Sequence, residues 1–273
     1  MIQYRELTQP AEIERAVDLE AQVWQMDDRQ VIPASMMIAL QHTGGHLGGA
    51  FDGERLIGFS VAFVARQGRE TFLWSHMAAV HPDYQTRKIG FGLKQEQRRW
   101  ALSNGFARIG WTFDPLLRLN ANFNLRRLGA TANAFHVDLY GEMQDGLNRG
   151  LPSDRLEVSW ELASARVNEH ANPEQEALPV MMDIRNTGFL LVKDDNDYPH
   201  VQGKPDAMWH FVEIPTHIDG IKQRDPALAL AWRIAMREVF VDAFAQGYSA
   251  IDFVNTASRC WYVLFNEQFN AGG

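Results

Sequence analysis

The stretch from Met77 to Leu93, Met-Ala-Ala-Val-His-Pro-Asp-Tyr-Gln-Thr-Arg-Lys-Ile-Gly-Phe-Gly-Leu, constrains this chain more than any other. The apolar run Thr71 to Val80 predicts a strand, and Pro82 ends it. Leu93, Gln97 and Ala101 then recur about one turn apart and predict a helix over Ile89 to Ser103, stopped by Asn104-Gly105. Lys94, Arg98 and Arg99 are expected on its polar side. The first N–H groups of a helix have no intrahelical acceptor and carry partial positive charge. Glycines let a ligand come close to that backbone, and Arg87 and Lys88 add full charges. This pattern describes a seat for a diphosphate, built mainly from backbone.

The rest of the N-terminal part reads as strand 2–7, a helix opened by Pro10, and a second helix over Pro33 to Gln41. Gly44, Gly45, Gly48 and Gly49 interrupt the pattern, and a hairpin turn is expected over Phe51 to Arg55. Strand Leu56–Val64, turn Gln67-Gly68-Arg69, strand Ala107–Phe113, helix Leu117–Leu128 ended by Gly129, strand Thr131–Tyr140 and strand Leu156–Leu162 follow. Polar residues over Ala163 to Leu178 suit a linker, which sets domains at 1–165 and 177–273. The second part reads as strand 188–192, an acidic loop 194–205, strand 208–214, helix 226–246 and strands 250–254 and 261–265. The order strand, Pro, helix, Gly-aromatic, strand occurs at 72–113 and again at 208–254, so the second domain is read as a degenerate half-repeat.

Composition narrows the class. Of 273 residues 46% are hydrophobic, enough for a core, which excludes a disordered chain. The net charge of −8 argues against a nucleic-acid binder. The longest apolar stretch, Leu56 to Ala65, is about half of the roughly 20 residues a membrane span needs, so no membrane partner is expected. A single cysteine, Cys260, fits a reducing compartment, and Met1–Glu6 lacks the charged-then-apolar order of a signal peptide. The expectation is a soluble cytoplasmic protein. The histidines show no His-x-x-x-His spacing, there is no cysteine cluster, and the acidic loop lacks the glycine and distal Glu of a calcium loop, so no metal is expected. No G-x-S-x-G elbow is present.

Met77–Leu93 resembles the signature of the GNAT acyltransferase superfamily, Val-x-Pro-x-x-[Arg/Gln]-x-x-Gly-x-[Gly/Ala] with a following Leu. Read from Val80 and Pro82, Gln85 holds the Arg/Gln place, Lys88 the first glycine place, Gly90 the second and Leu93 the apolar helix position. A shifted register, Arg87-x-x-Gly90-x-Gly92, also fits the bare motif. The resemblance covers residues 2 to about 162, and more narrowly is to a branch of long acyltransferases with an added C-terminal region. It implies an α/β (α+β) fold with a mixed, splayed sheet, the strand Trp74–Val80 parting from Arg108–Phe113. An acyl-CoA, acetyl-CoA above all, would lie in that opening. The backbone of Met77, Ala78, Ala79 and Val80 would pair with its pantetheine arm, and Gln85, Thr86, Arg87, Lys88, Ile89, Gly90, Phe91 and Gly92 would hold its diphosphate. Asn124 would add a hydrogen bond.

The implied reaction is acyl transfer, acetyl or succinyl, to a small-molecule amine such as an amino acid, by direct attack on the thioester. The tyrosine by which many such proteins protonate the leaving thiolate falls at Leu125, so that acid is missing, and Tyr140 is a substitute the sequence does not place. His76, in the strand beside the acyl group, is the first base candidate; the alternative is a packed or surface histidine. Asp114 and Glu213 follow, with helix capping and burial as their plainer roles, and Arg118 and Arg126 are candidates for an acceptor carboxylate. Cys260, beside Trp261, reads as packed. The C-terminal domain is expected to cover the acceptor, and a homodimer is admitted. The rival function is a non-catalytic CoA sensor or protein-interaction module.

Overall fold

The computed structural model describes residues 1–25, 31–85, 87–143, 150–172 and 186–269. The chain runs β1 (Ile2–Glu6), α1 (Pro10–Trp24), α2 (Ala34–His42), β2 (His46–Asp52), β3 (Arg55–Gln67), β4 (Glu70–Val80), α3 (Ile89–Ser103) and β5 (Arg108–Phe113). It continues through α4 (Arg118–Ala121), β6 (Thr131–His136), β7 (Arg155–Glu161), α5 (Ala165–Glu169), β8 (Thr187–Lys193), β9 (Pro199–Val201) and β10 (Trp209–Ile214). Helices α6 (Ile218–Arg224) and α7 (Pro226–Ala245) and strands β11 (Ser249–Asn255) and β12 (Cys260–Phe265) complete it. Among the described residues, 1–111 and 161–172 form one compact unit, and 112–143, 150–160 and 186–269 form another. This division by packing differs from the 1–165 and 177–273 division by composition.

In the first unit the strands stand in the order β1-β2-β3-β4-β5, antiparallel except for the parallel pair β4–β5. Helix α1 starts where Glu12 accepts the backbone N–H groups of Thr8 and Gln9 and pairs with Arg5 at 2.6 Å. Its apolar residues Ile13, Ala16 and Leu19 join Met37 of α2 over Leu47, Phe59, Val61 and Ala79 of the sheet. On other sheet positions Ala50 and Ile57 meet Ile89 and Leu93 of α3. Each such fully buried aliphatic or aromatic side chain contributes about 1.5–3 kcal/mol. Strand β4 bulges: Met77 opposes Val61 and Ser75 opposes Ala62, so His76 is the extra residue.

In the second unit the order is β7-β6-β11-β12-β10-β8-β9, antiparallel except for β8 and β10. Asp225 caps α7 by accepting the Leu228 N–H at 3.0 Å, and Pro226 occupies its first turn. Trp160, Trp232, Phe240, Phe253 and Tyr262 are among the largest fully buried side chains.

Several sequence expectations need correction. Gly48 and Gly49 lie inside β2. A Cβ at Gly48 would stand 2.8 Å from Glu96 Oε2 and 2.9 Å from Ser60 Oγ, so the glycine makes room for polar side chains. Strand β6 stops at His136, because Asp138 takes a positive φ and its carboxylate accepts the Ser153 N–H. The helix expected over 117–128 is one α turn followed by a π-helical segment, Asn122–Arg127. The linker expected at 163–178 contains α5 as far as it is described, and 173–178 lie outside the described residues. The loop 194–205 contains β9, paired with β8. Helix α6 was not foreseen. The half-repeat fails on strand order: β4 and β5 are direct neighbours, whereas β12 stands between β10 and β11.

Candidate active site

The parallel pair β4–β5 is short. Leu73 opposes Ile109 and Trp74 opposes Gly110, and among the described residues that is all of it. Among the described residues, the edge of β4 away from β3 has no strand partner from Ser75 to Val80. A backbone edge of this kind presents N–H and C=O groups to any extended ligand laid along it.

The far end of that edge leads into the loop. His81 closes it: its Nδ1 accepts the Asp83 N–H at 3.2 Å, and Gln22 and Arg55 reach its Nε2 at 3.3 and 3.0 Å. Pro82–Tyr84 form a 3-10 turn. The Tyr84 hydroxyl donates to Asp52, and the Arg87 guanidinium stands 5.0 Å from the Tyr84 ring centre. Lys88 precedes α3 in the left-handed conformation, φ 60° and ψ 14°, and its own side chain makes no capping hydrogen bond. That is the conformation a glycine adopts without strain, and Lys88 holds it despite its side chain. Gln85, Arg87 and Lys88 are exposed, whereas the side chains of Ile89 and Phe91 are core, so those two offer backbone only. A Cβ at Gly90 would meet Val80 Cγ2 at 3.9 Å, an ordinary contact. At Gly92 a Cβ would collide with the Tyr4 ring, which is reason enough for glycine there. Thr86 lies outside the described residues.

At the near end of the edge, where the strands part, stands a residue that the sequence put on the polar side of α3. Lys94 is 5% exposed. Its Nζ donates to Ser75 Oγ at 2.8 Å and to Gln97 Oε1 at 3.2 Å, and lies 3.9 Å from the Trp111 ring centre. Burial pulls its pKa down to about 7. Among the described residues no carboxylate pairs with it. Glu96, also buried on α3, is engaged with His46 at 3.1 Å. The periodicity of α3 held no sign of this: Lys94 follows Leu93 on a helix whose buried face is wide enough to take in Glu96 and Gln97 as well.

The three base candidates differ in what holds them. His76 is exposed at the β4 bulge, its ring 6.0 Å from that of Phe63, and the protein around it lowers its pKa by desolvation. No carboxylate pairs with it among the described residues. Asp114 accepts the Leu116 N–H at 2.9 Å and pairs with buried Arg233 at 2.6 Å, with Arg155 at 3.9 Å. Glu213 is wholly buried, takes both Arg259 Nε (2.7 Å) and Nη2 (2.5 Å), and accepts the Lys193 N–H. It borders a cleft of about 230 Å³ in the second unit, together with Lys193, Asp197, His217, Arg224 and Trp232. Asp114 and Glu213 thus have structural partners that His76 lacks.

The remaining residues singled out from sequence are also placed. Asn124 is buried in the π-helical segment, its carbonyl accepting the Ala130 N–H, and Leu125 beside it is fully buried. The Tyr140 hydroxyl is 3.3 Å from Thr112 Oγ1. Arg126 pairs with Asp252 at 2.7 Å, and Arg118 reaches Asn255 at 3.4 Å. Cys260 is buried and its thiol is pushed up to about 12 by burial. Among the described residues no group of His, Cys, Asp or Glu side chains is arranged to hold a metal, and no helix is long and apolar enough to cross a membrane.

The sequence model of the acetyltransferase (GNAT) family matches residues 4–129. No curated protein matches the chain. Among solved structures it is similar to a GNAT-family protein from Desulfovibrio desulfuricans (16% identity, TM-score 0.49), covering 60% of this chain and 100% of that one. It is also similar to the ribosomal-protein-S18-alanine N-acetyltransferase of Escherichia coli (14%, TM-score 0.47; 60% and 96%) and to NAA60 of Arabidopsis thaliana (15%, TM-score 0.45; 59% and 97%).

Proposed function

We propose that this chain, whose residues 4–129 match the acetyltransferase (GNAT) family model, is an acyl-CoA-dependent N-acyltransferase acting on a small-molecule amine, with acetyl or succinyl as the acyl group. One observation carries this reading: among the described residues the β4 edge from Ser75 to Val80 has no strand partner, and it leads into the start of α3. The diphosphate of CoA fits the start of α3, where backbone N–H groups, Arg87 and Lys88 offer positive charge. The pantetheine amides fit the backbone of Met77 to Val80 as a strand does. Gln85, Thr86 and Asn124 belong to this proposed binding set.

The amine must arrive neutral to attack. Its nitrogen forms a bond to the thioester carbonyl carbon, the oxygen takes up negative charge near β4 backbone N–H groups, and the C–S bond then breaks. The nitrogen gives up its proton to His76, neutral at physiological pH because its pKa is lowered. The departing thiolate takes up a proton from solvent, since Leu125 holds the place of the family's tyrosine acid. Asp114 and Glu213 serve in this reading as ion-pair anchors. The boundaries 1–165 and 177–273, and cover of the acceptor by the C-terminal domain, remain parts of this proposal.

The test is binding first and turnover second. Isothermal titration with acetyl-CoA should give a saturable site, and thiol release over a panel of amines should identify an acceptor. Binding without turnover on any amine would favour the CoA-sensor reading, and no binding would remove both.

A further inference from the structure

We propose that Lys94 selects acyl-CoA donors whose acyl chain ends in a carboxylate, such as malonyl- or succinyl-CoA. This inference rests on the acyl-CoA reading above and narrows it to a donor class.

The position of the amine carries it. Ser75 directly follows Trp74, the last β4 residue paired with β5, and Trp111 directly follows Gly110, the last β5 residue paired with β4. Lys94 Nζ contacts both Ser75 and Trp111 and so sits at the point where the strands part. Val80 lies five steps along the strand from Ser75, a run of about 17 Å at strand rise, the reach of an extended pantetheine-sized arm. A donor anchored by its diphosphate at the start of α3 and laid along β4 therefore brings its acyl group toward this point.

The chemistry of the site is that of an incomplete ion pair. A buried ammonium is expensive unless paired, yet the partners of Lys94 are a hydroxyl, an amide oxygen and a ring face. The buried carboxylate on the same helix, Glu96, is engaged with His46. A carboxylate at the tip of the acyl chain supplies the missing charge. It also favours the charged form of an amine whose pKa burial has brought to about 7. An acetyl group offers nothing to this cation.

The experiment is a titration panel on the full chain with CoA, acetyl-, butyryl-, malonyl- and succinyl-CoA, repeated with Lys94→Met and Lys94→Gln. The expected result is that malonyl- or succinyl-CoA binds at least tenfold tighter than acetyl- and butyryl-CoA. The Lys94 variants should lose that preference while keeping acetyl-CoA affinity within about twofold. Equal affinity across the panel overturns the inference and leaves the acyl-CoA reading standing. A preference that survives both variants also overturns it, because the selection then lies elsewhere. No binding of CoA itself removes the reading and the inference together. Butyryl-CoA, neutral and close to succinyl in length, keeps the wild-type comparison decisive even if a variant fails to fold.

Discussion

The Lys94 ammonium lies 3.9 Å from the centre of the Trp111 ring, on the first residue of β5 beyond its pairing with β4. A cation over an indole face contributes about 2 kcal/mol when desolvated, which is not enough to offset burial of the charge. The balance shows in the amine's pKa, down to about 7 from an ordinary 10.5. Between those values the unfolded chain holds the proton and the folded chain does not, so stability rises with pH across the window. It declines as pH falls from about 10.5 and levels off below about 7. Urea unfolding of wild type and Lys94→Met should therefore diverge. The wild type should gain up to about 1.4 kcal/mol per pH unit relative to the variant between pH 7 and 10. A constant difference across that range would show that Lys94 keeps an ordinary pKa.

Replacing His76 by Ala should lower kcat/KM by about 10²-fold or more, the usual scale for a lost general base, while acetyl-CoA affinity stays within about twofold. Because desolvation lowers the imidazole pKa, the acidic limb of the wild-type kcat/KM profile should lie below the ordinary value near 6.5. An unchanged rate and profile in the variant would remove His76 from the reaction.

Lys88→Gly separates backbone from charge. Glycine relieves the left-handed strain of about 1–2 kcal/mol but is more costly to order by about 0.5–1 kcal/mol. Stability measured by denaturant should therefore hold or rise by up to about 1.5 kcal/mol. CoA affinity should fall severalfold, because one positive charge leaves the diphosphate seat. A large loss of stability would mean that Lys88 is held by contacts rather than tolerated by them.

Arg259→Ala leaves the Glu213 carboxylate buried without its guanidinium. The expected cost is about 1–3 kcal/mol, the range for a buried polar group left short of a partner, below that of a wholly buried pair because Arg259 is itself 41% exposed, with kcat unchanged in the fraction that remains folded. Thermal unfolding and thiol-release kinetics on the same preparation check this. A rate collapse with little loss of stability would return Glu213 to the catalytic group.

Much of the first unit could be read from residue pattern. The apolar run into Val80, the stop at Pro82 and the spacing of Leu93 and Ala101 set β4 and α3 at their observed ends, because those signals are local. The loop and helix start proposed to seat a diphosphate were legible for the same reason. Lys94 was not: a lysine one step beyond an apolar helix position reads as solvent-facing, and only the packing of Trp111 and Ser75 shows otherwise. The partners of Asp114 and Glu213 were hidden too, since Arg233 lies 119 residues from the one and Arg259 lies 46 from the other. The half-repeat failed because matching strand–helix–strand order in sequence says nothing about which strand fills the gap, here β12.

The account depends on an acyl-CoA lying along β4 with its diphosphate at the start of α3. Amide hydrogen exchange on the full chain, with and without saturating acetyl-CoA, tests that most directly. The predicted result is slowed exchange at the β4 backbone from Ser75 to Val80 and in the first turn of α3 at Ile89 and Gly90. Saturation with acetyl-CoA that leaves exchange unaltered in both segments would contradict it.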